Sequence, residues 1–131
     1  MAERSRDWIV QAEHDLQHAR NASAPGDFEW SCFAAQQAAE NAVKALFQAL
    51  GGDGWGHSIV RLLRDLPADL RVPNDLVEQA MVLDRLYVPS RYPNGLPEGA
   101  PAEFFSARDA ALAIQDAEAI LTFCRQHLPR R

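Results

Sequence analysis

Lysine, arginine and histidine are the side chains with which this sequence could hold an anion or move a proton, and it uses them unevenly. Of thirteen Lys and Arg residues, twelve are Arg and one, Lys44, is Lys. A solitary ammonium in an arginine-rich chain suggests a position that wants a compact point charge rather than a planar fork. Glu40 stands four residues before it, and the plainer reading is a solvated i, i+4 pair worth about a few tenths of a kcal/mol. Arg91 stands in Tyr87–Pro101, where Tyr87 and Tyr92 add rings suited to stacking and the guanidinium is suited to anions. The plainer reading there has the two tyrosines pinning a loop and Arg91 capping a helix C-terminus. Gly51-Gly52-Asp53-Gly54-Trp55-Gly56-His57-Ser58 is first a helix terminator. Its glycine amides, running into a helix at Ser58, also form a candidate anion nest, although the segment lacks the Walker spacing. His57 reads as a partner for the end of the preceding helix or as a contact to phosphate. His14 and His18, one turn apart beside Asp15, lack a third ligand, so no metal is expected.

These residues must be positioned by helices. Asp27–Leu50 contains neither Gly nor Pro, is rich in Ala, and is apolar around most of its circumference, the pattern of a helix inside a bundle. Its one polar stripe is Gln37, Glu40, Asn41, Lys44 and Gln48, spaced to stack along one edge. That edge meets water or lines a polar cleft. Before it, Arg4–Asn21 places Trp8, Ala12, Leu16 and Ala19 on one face, and Pro25-Gly26 turns the chain so that Asp27 can cap the central helix. Ser58–Leu66 makes a short helix on Ile59, Leu62, Leu63 and Leu66. A further helix runs from Asn74 to Tyr87, on Leu76, Ala80 and Leu83, until Pro89 stops it. The proline-rich segment that follows reads as an ordered loop with aromatic anchors. The last helix opens on a capping pair, Ser106 and Asp109. It continues through Ala107, Ala111, Ile114, Ala117, Leu121, Cys124 and Leu128, and Arg130-Arg131 reads as a fraying tail. No strand period occurs, so the expected fold is all-α: a four-helix antiparallel up-and-down bundle with one additional short helix, as a single domain over residues 1–131.

Composition narrows the partners. A net charge of −5 argues against a coat for duplex DNA, which needs a basic face. No apolar run approaches the roughly 20 residues that span a bilayer, and the first residues lack the apolar core of a signal peptide, so no membrane and a cytoplasmic location are expected. Cys32 and Cys124 fall on apolar helix phases without a Cys-x-x-Cys, and read as small core hydrophobes.

The motifs taken in order resemble a known family. Trp8 with Ala12, Asp15 and Leu16; Phe33-Ala-Ala-Gln-Gln-Ala-Ala-Glu40 followed by Lys44; Trp55-Gly-His57-Ser58; and Leu83-Asp-Arg-Leu-Tyr87 before Pro89-Ser-Arg-Tyr-Pro93 together resemble the short stand-alone bacterial members of the HEPN family, the "higher eukaryotes and prokaryotes nucleotide-binding" domain. The likeness covers essentially the whole chain. It implies a cytoplasmic helical bundle that forms a homodimer, often beside a minimal nucleotidyltransferase in a two-component, toxin-antitoxin-like system. Many members are instead metal-independent ribonucleases with an Arg, four to six residues, then His. Here the sequence departs: four residues intervene between Arg91 and Leu96, no His follows Arg91 before His127, and no other Arg has a His at that spacing.

That departure matters because cleaving RNA by its own 2′-hydroxyl wants a proton-transfer group working near pH 7 and a cation for the phosphorane. The expected function is therefore a non-catalytic module that binds a nucleotide or other phosphate ligand, or a nucleotidyltransferase partner, with no cofactor beyond such a nucleotide. The candidate ligand-binding set is Gln37, Glu40, Lys44, His57, Arg91 and Tyr92. Lys44 and Arg91 would hold phosphate, Glu40 would orient Lys44, and Tyr92 would stack on a base. One alternative is an RNA endonuclease toxin using Arg91 with His57; another is a dimeric scaffold whose Gln-Gln-Ala-Ala-Glu stripe packs across a two-fold axis.

Overall fold

The computed structural model describes residues 3–129, so the Arg130-Arg131 tail lies outside the described residues. Six α-helices follow one another: α1 Ser5–Ser23, α2 Phe28–Ala49, α3 Ile59–Arg64, α4 Asn74–Asp84, α5 Pro101–Phe104 and α6 Ala107–His127. No strand occurs among the described residues, as the apolar periods predict. The four long helices α1, α2, α4 and α6 make the bundle and α3 is the short extra one; α5 is a single turn that begins at Pro101, where the segment expected to be loop ends. None of these helices is long and apolar enough to cross a membrane.

Alanine explains the packing. α2 lies along α1 and α6, and α6 also packs on α4; Ala35, Ala38, Ala39, Ala42 and Ala45 of α2 are fully buried. Side chains this small let neighbouring helices approach on two sides at once. Leu46, Val43, Ile120 and Leu121 then fill the remaining space. On α6 the buried phase differs from the expected stripe. Ala107 and Ala111 are exposed, whereas Ala110, Ala113, Ala117, Ile120 and Cys124 are buried. Both stripes repeat about every 3.5 residues and share Ala117 and Cys124, so the difference is one of phase near the helix start, where α6 buries Ala110 and Ala113 in place of Ala107 and Ala111.

Helix ends depart from expectation in three places. Asp27 occupies the N-cap of α2 but its side chain accepts no cap hydrogen bond; its amide is drawn back to Ala22 O at 2.9 Å, leaving the carboxylate exposed. α4 ends at Asp84 rather than Tyr87. Pro89 disfavours helical geometry at Val88, and the chain has already tightened to Leu86 N–H donating to Leu83 O at 2.9 Å. The third is the start of α3. Asp84 Oδ1 accepts from Ile59 N at 2.7 Å, and Oδ2 from Val60 N at 3.1 Å and from Ser58 Oγ at 3.1 Å. The first amides of the helix into which the candidate anion nest runs are therefore occupied by a carboxylate of the same chain. The C-terminus of α2 behaves as predicted: Gly51 adopts φ +82°, Gly52 N reaches Phe47 O at 2.9 Å and Gly51 N reaches Gln48 O at 3.1 Å, a Schellman closure.

Candidate functional site

The site is built on Glu40. It belongs to the polar stripe of α2, yet it is only 3 % exposed, because the segment after Gly51 folds back over the stripe. A buried carboxylate without partners costs several kcal/mol, and Glu40 has three. Lys44 Nζ lies 3.0 Å from Oε2; Gln36 Nε2 donates to Oε1 at 3.1 Å; His57 Nδ1 lies 3.2 Å from Oε2 and 3.3 Å from Oε1. The Lys44 side chain is itself only 12 % exposed. Of the two readings of this pair, the solvated one is set aside: the i, i+4 spacing holds, but the pair is enclosed. His57 likewise meets the middle of the central helix and not its end.

Tyr87 connects this carboxylate cluster to Arg91. The His57 ring stacks on the Tyr87 ring at 4.6 Å between centroids and 19° between planes. The Arg91 guanidinium carbon lies 4.6 Å from the centroid of the same ring, 4.4 Å from that of Phe33 and 4.9 Å from that of Tyr92. Arg91 Nε donates to Tyr87 O at 3.1 Å and Nη1 lies 3.5 Å from the Tyr92 hydroxyl. The guanidinium is therefore positioned by a carbonyl beyond the end of α4 and by three rings, with Nη2 left to donate elsewhere.

Of the six residues the sequence singled out, Glu40, Lys44 and His57 are in direct contact. Arg91 and Tyr92 join them through Tyr87. Gln37 joins less directly, donating from Nε2 to Gln36 Oε1 at 2.7 Å. A cleft of about 580 Å³ with Trp55, His57, Ser58 and Arg61 in its lining borders the cluster, and two more open beside it. One, of about 380 Å³, includes Trp8, Lys44, Trp55 and His57 in its lining. The other, of about 320 Å³, is lined by Trp30, Phe33, Gln37 and Asn41 with Asp15 and His18 of α1. Asn41 Nδ2 donates to Asp15 across the α1–α2 contact at 2.8 Å.

Two residues central to this arrangement escaped sequence reasoning. Gln36 is fully buried, and its amide reaches both Glu40 and, at 3.5 Å, the carbonyl of His57. The signal was an adjacent Gln-Gln pair on a helix with one narrow polar stripe, where the two amides cannot both face water. Asp84 fixes the residues that follow His57. Its signal was an acid in the last turn of a helix, where the macrodipole disfavours negative charge unless a partner compensates it.

A family model described as HEPN domain matches residues 5–127. Among the solved structures that resemble the chain are the following three. TT1696 from Thermus thermophilus is 50 % identical with a TM-score of 0.95, the match covering 97 % of this chain and 100 % of that one. ST0689, described as an archaeal HEPN homologue, is 44 % identical with a TM-score of 0.82 over 98 % of this chain and 100 % of its own. A HEPN domain protein (tm0613) from Thermotoga maritima is 35 % identical with a TM-score of 0.75 over 92 % and 95 %. No curated protein matches.

Proposed function

The chain belongs to the HEPN domain family, and from that premise we propose that it is a non-catalytic module that binds a nucleotide or a related phosphate ligand in the cleft above Glu40. The observation that carries this reading is the gathering of one ammonium, one imidazole and, through Tyr87, one guanidinium around a single buried carboxylate. Lys44 spends one donor on Glu40 and has further N–H groups for phosphate oxygens, and Arg91 keeps Nη2. Fixing cations in advance lowers the ordering cost of binding. In this reading the module acts as a cytoplasmic homodimer beside a minimal nucleotidyltransferase, in a two-component, toxin-antitoxin-like system.

One contact favours a second reading, a metal-independent RNA endonuclease. With its proton on Nδ1, His57 donates to Glu40 and presents Nε2 as a base, the arrangement in which a carboxylate orients a catalytic imidazole. Arg91 would then stabilise the phosphorane. The Arg-to-His spacing of the family's ribonucleases is nonetheless missing, which places this reading second.

Thermal unfolding with and without ATP, GTP and a short oligoribonucleotide separates the readings when repeated for Lys44→Ala and Arg91→Ala. A ligand at a hundredfold excess over its Kd stabilises the folded state by about 2.7 kcal/mol, several degrees at this size. A shift in the wild type that both variants lose, with no RNA cleaved, supports the binding module. Cleavage that Arg91→Ala and His57→Ala abolish supports the endonuclease. No shift and no cleavage leaves a dimeric scaffold, whose dimer constant Lys44→Ala should alter.

A further inference from the structure

The phosphate contacts leave open where the rest of a nucleotide would lie. We propose that the cleft between α1, α2 and the glycine segment seats a planar heterocycle, the base of the nucleotide, against the indole of Trp55. This rests on the nucleotide reading above and assigns it a second half.

Trp55 is 82 % exposed, and among the described residues its ring has no ring contact and no hydrogen bond. The other rings nearby are engaged: Trp8 with Lys44, Phe33 with Trp30 and Tyr87, Tyr87 with His57, and Tyr92 with Arg91. A base at Tyr92, the position expected from sequence, would compete with the guanidinium already there. Trp55 offers a large apolar face to water with nothing covering it. An indole so placed is well suited to stacking, since every base has a π-face.

The segment bearing Trp55 is tied down on both sides. Asp53 accepts from Gln48 Nε2 at 3.2 Å, and His57 is held by Glu40. Between them, a Cβ at Gly54 would come within 3.1 Å of Lys44 Cγ and 3.2 Å of Leu62 and Phe47 side-chain carbons, so the backbone rests directly on the helices. Gly56 takes φ +87°, which a residue with a side chain adopts only with strain. The ring is thus presented from an anchored loop. Its cleft also holds Lys44 and His57, with Lys44 Nζ 5.9 Å from the Trp8 ring centroid. The stacking surface and the Lys44 ammonium therefore share one cavity of about 380 Å³, within the size range of small-molecule sites, while Arg91 lies outside its lining.

The test compares ATP with inorganic tripolyphosphate, which carries the phosphates without the base, by calorimetric titration of the wild type, Trp55→Ala and Trp55→Phe. Trp55→Ala should weaken ATP about ten- to a hundredfold, the range for losing one base–aromatic stack, and leave tripolyphosphate within about twofold. Trp55→Phe should recover most of the loss. Equal weakening of both ligands, or ATP unaffected by Trp55→Ala, overturns the assignment while leaving the phosphate site standing. A sedimentation change in Trp55→Ala with ATP affinity intact makes the ring a protein contact and also overturns it. If neither ligand binds the wild type, the nucleotide reading fails and the base site fails with it.

Discussion

Glu40 is the residue on which the others depend. Its two oxygens face an ammonium, an amide and an imidazole, so removing it leaves Lys44 enclosed without its counter-charge. Glu40→Ala should destabilise the protein by about 3 kcal/mol, the scale of a broken buried pair, and urea unfolding at constant m-value would measure it. A loss below about 0.5 kcal/mol would place the pair with ordinary surface pairs instead. The two thiols give a separate expectation. Burial, reinforced at Cys32 by the charges of Asp109 and Glu29, pushes Cys32 up to about 12; burial pushes Cys124 up to about 12 against the opposing pull of Arg125. Both should stay protonated and resist iodoacetamide at about pH 8 until urea unfolds the chain, since the thiolate is the nucleophile. Above the ordinary thiol value of 9.0 the unfolded chain releases protons that the folded chain retains, so stability should fall as pH rises from there toward 12. The pairing of Lys44 with Glu40 was legible in their spacing. Their burial was not, because the segment that covers them comes from 17 residues further along the chain.

At the scale of elements, Asp84 joins the two halves of the site. It ends α4, three residues before Tyr87, and binds the first amides of α3 immediately after His57. Asp84→Ala should lower stability by about 1–2 kcal/mol, the range of a lost N-cap, and should speed amide exchange at Ile59 and Val60 more than elsewhere in the bundle. Uniform acceleration across all helices would mean that Asp84 supports the whole fold and not this junction. The helices themselves were readable from period and punctuation. Pro25-Gly26 and Gly51 each end a helix where expected, α4 stops at Asp84 before Pro89 can end it, and Ser106 donates to and accepts from Asp109 as its spacing predicts. What local pattern could not supply was the choice among donors and acceptors at helix ends. Asp27 looks like a cap and makes no cap bond, while Asp84 looks like a poorly placed acid and caps a different helix across 25 residues.

For the whole molecule, the all-α class follows from apolar residues repeating at helical spacing with no strand period, and the packing of α2 follows from its alanines. The slip of the buried stripe at the start of α6 is set by the helices it packs on, because an alanine-rich face offers several adjacent phases that its own apolar spacing does not choose between. Arg91 meets Tyr87 within the turn that follows α4, four residues on, whereas the stacking of His57 on Tyr87 is a product of tertiary structure, since it joins the segment before α3 to the one after α4. The acidic net charge of −5 coexists with a local cluster of Lys44, His57 and Arg91, so binding there should be specific to the cleft and not to the surface at large. Lys44 is the sole lysine, and this makes the central claim directly measurable. Protein grown with lysine labelled at Cε and Nζ gives one side-chain signal, which should move saturably as ATP is added and do so with the same Kd as calorimetry reports. An unmoved signal in the presence of ligand bound elsewhere would contradict the cleft above Glu40 as the binding site.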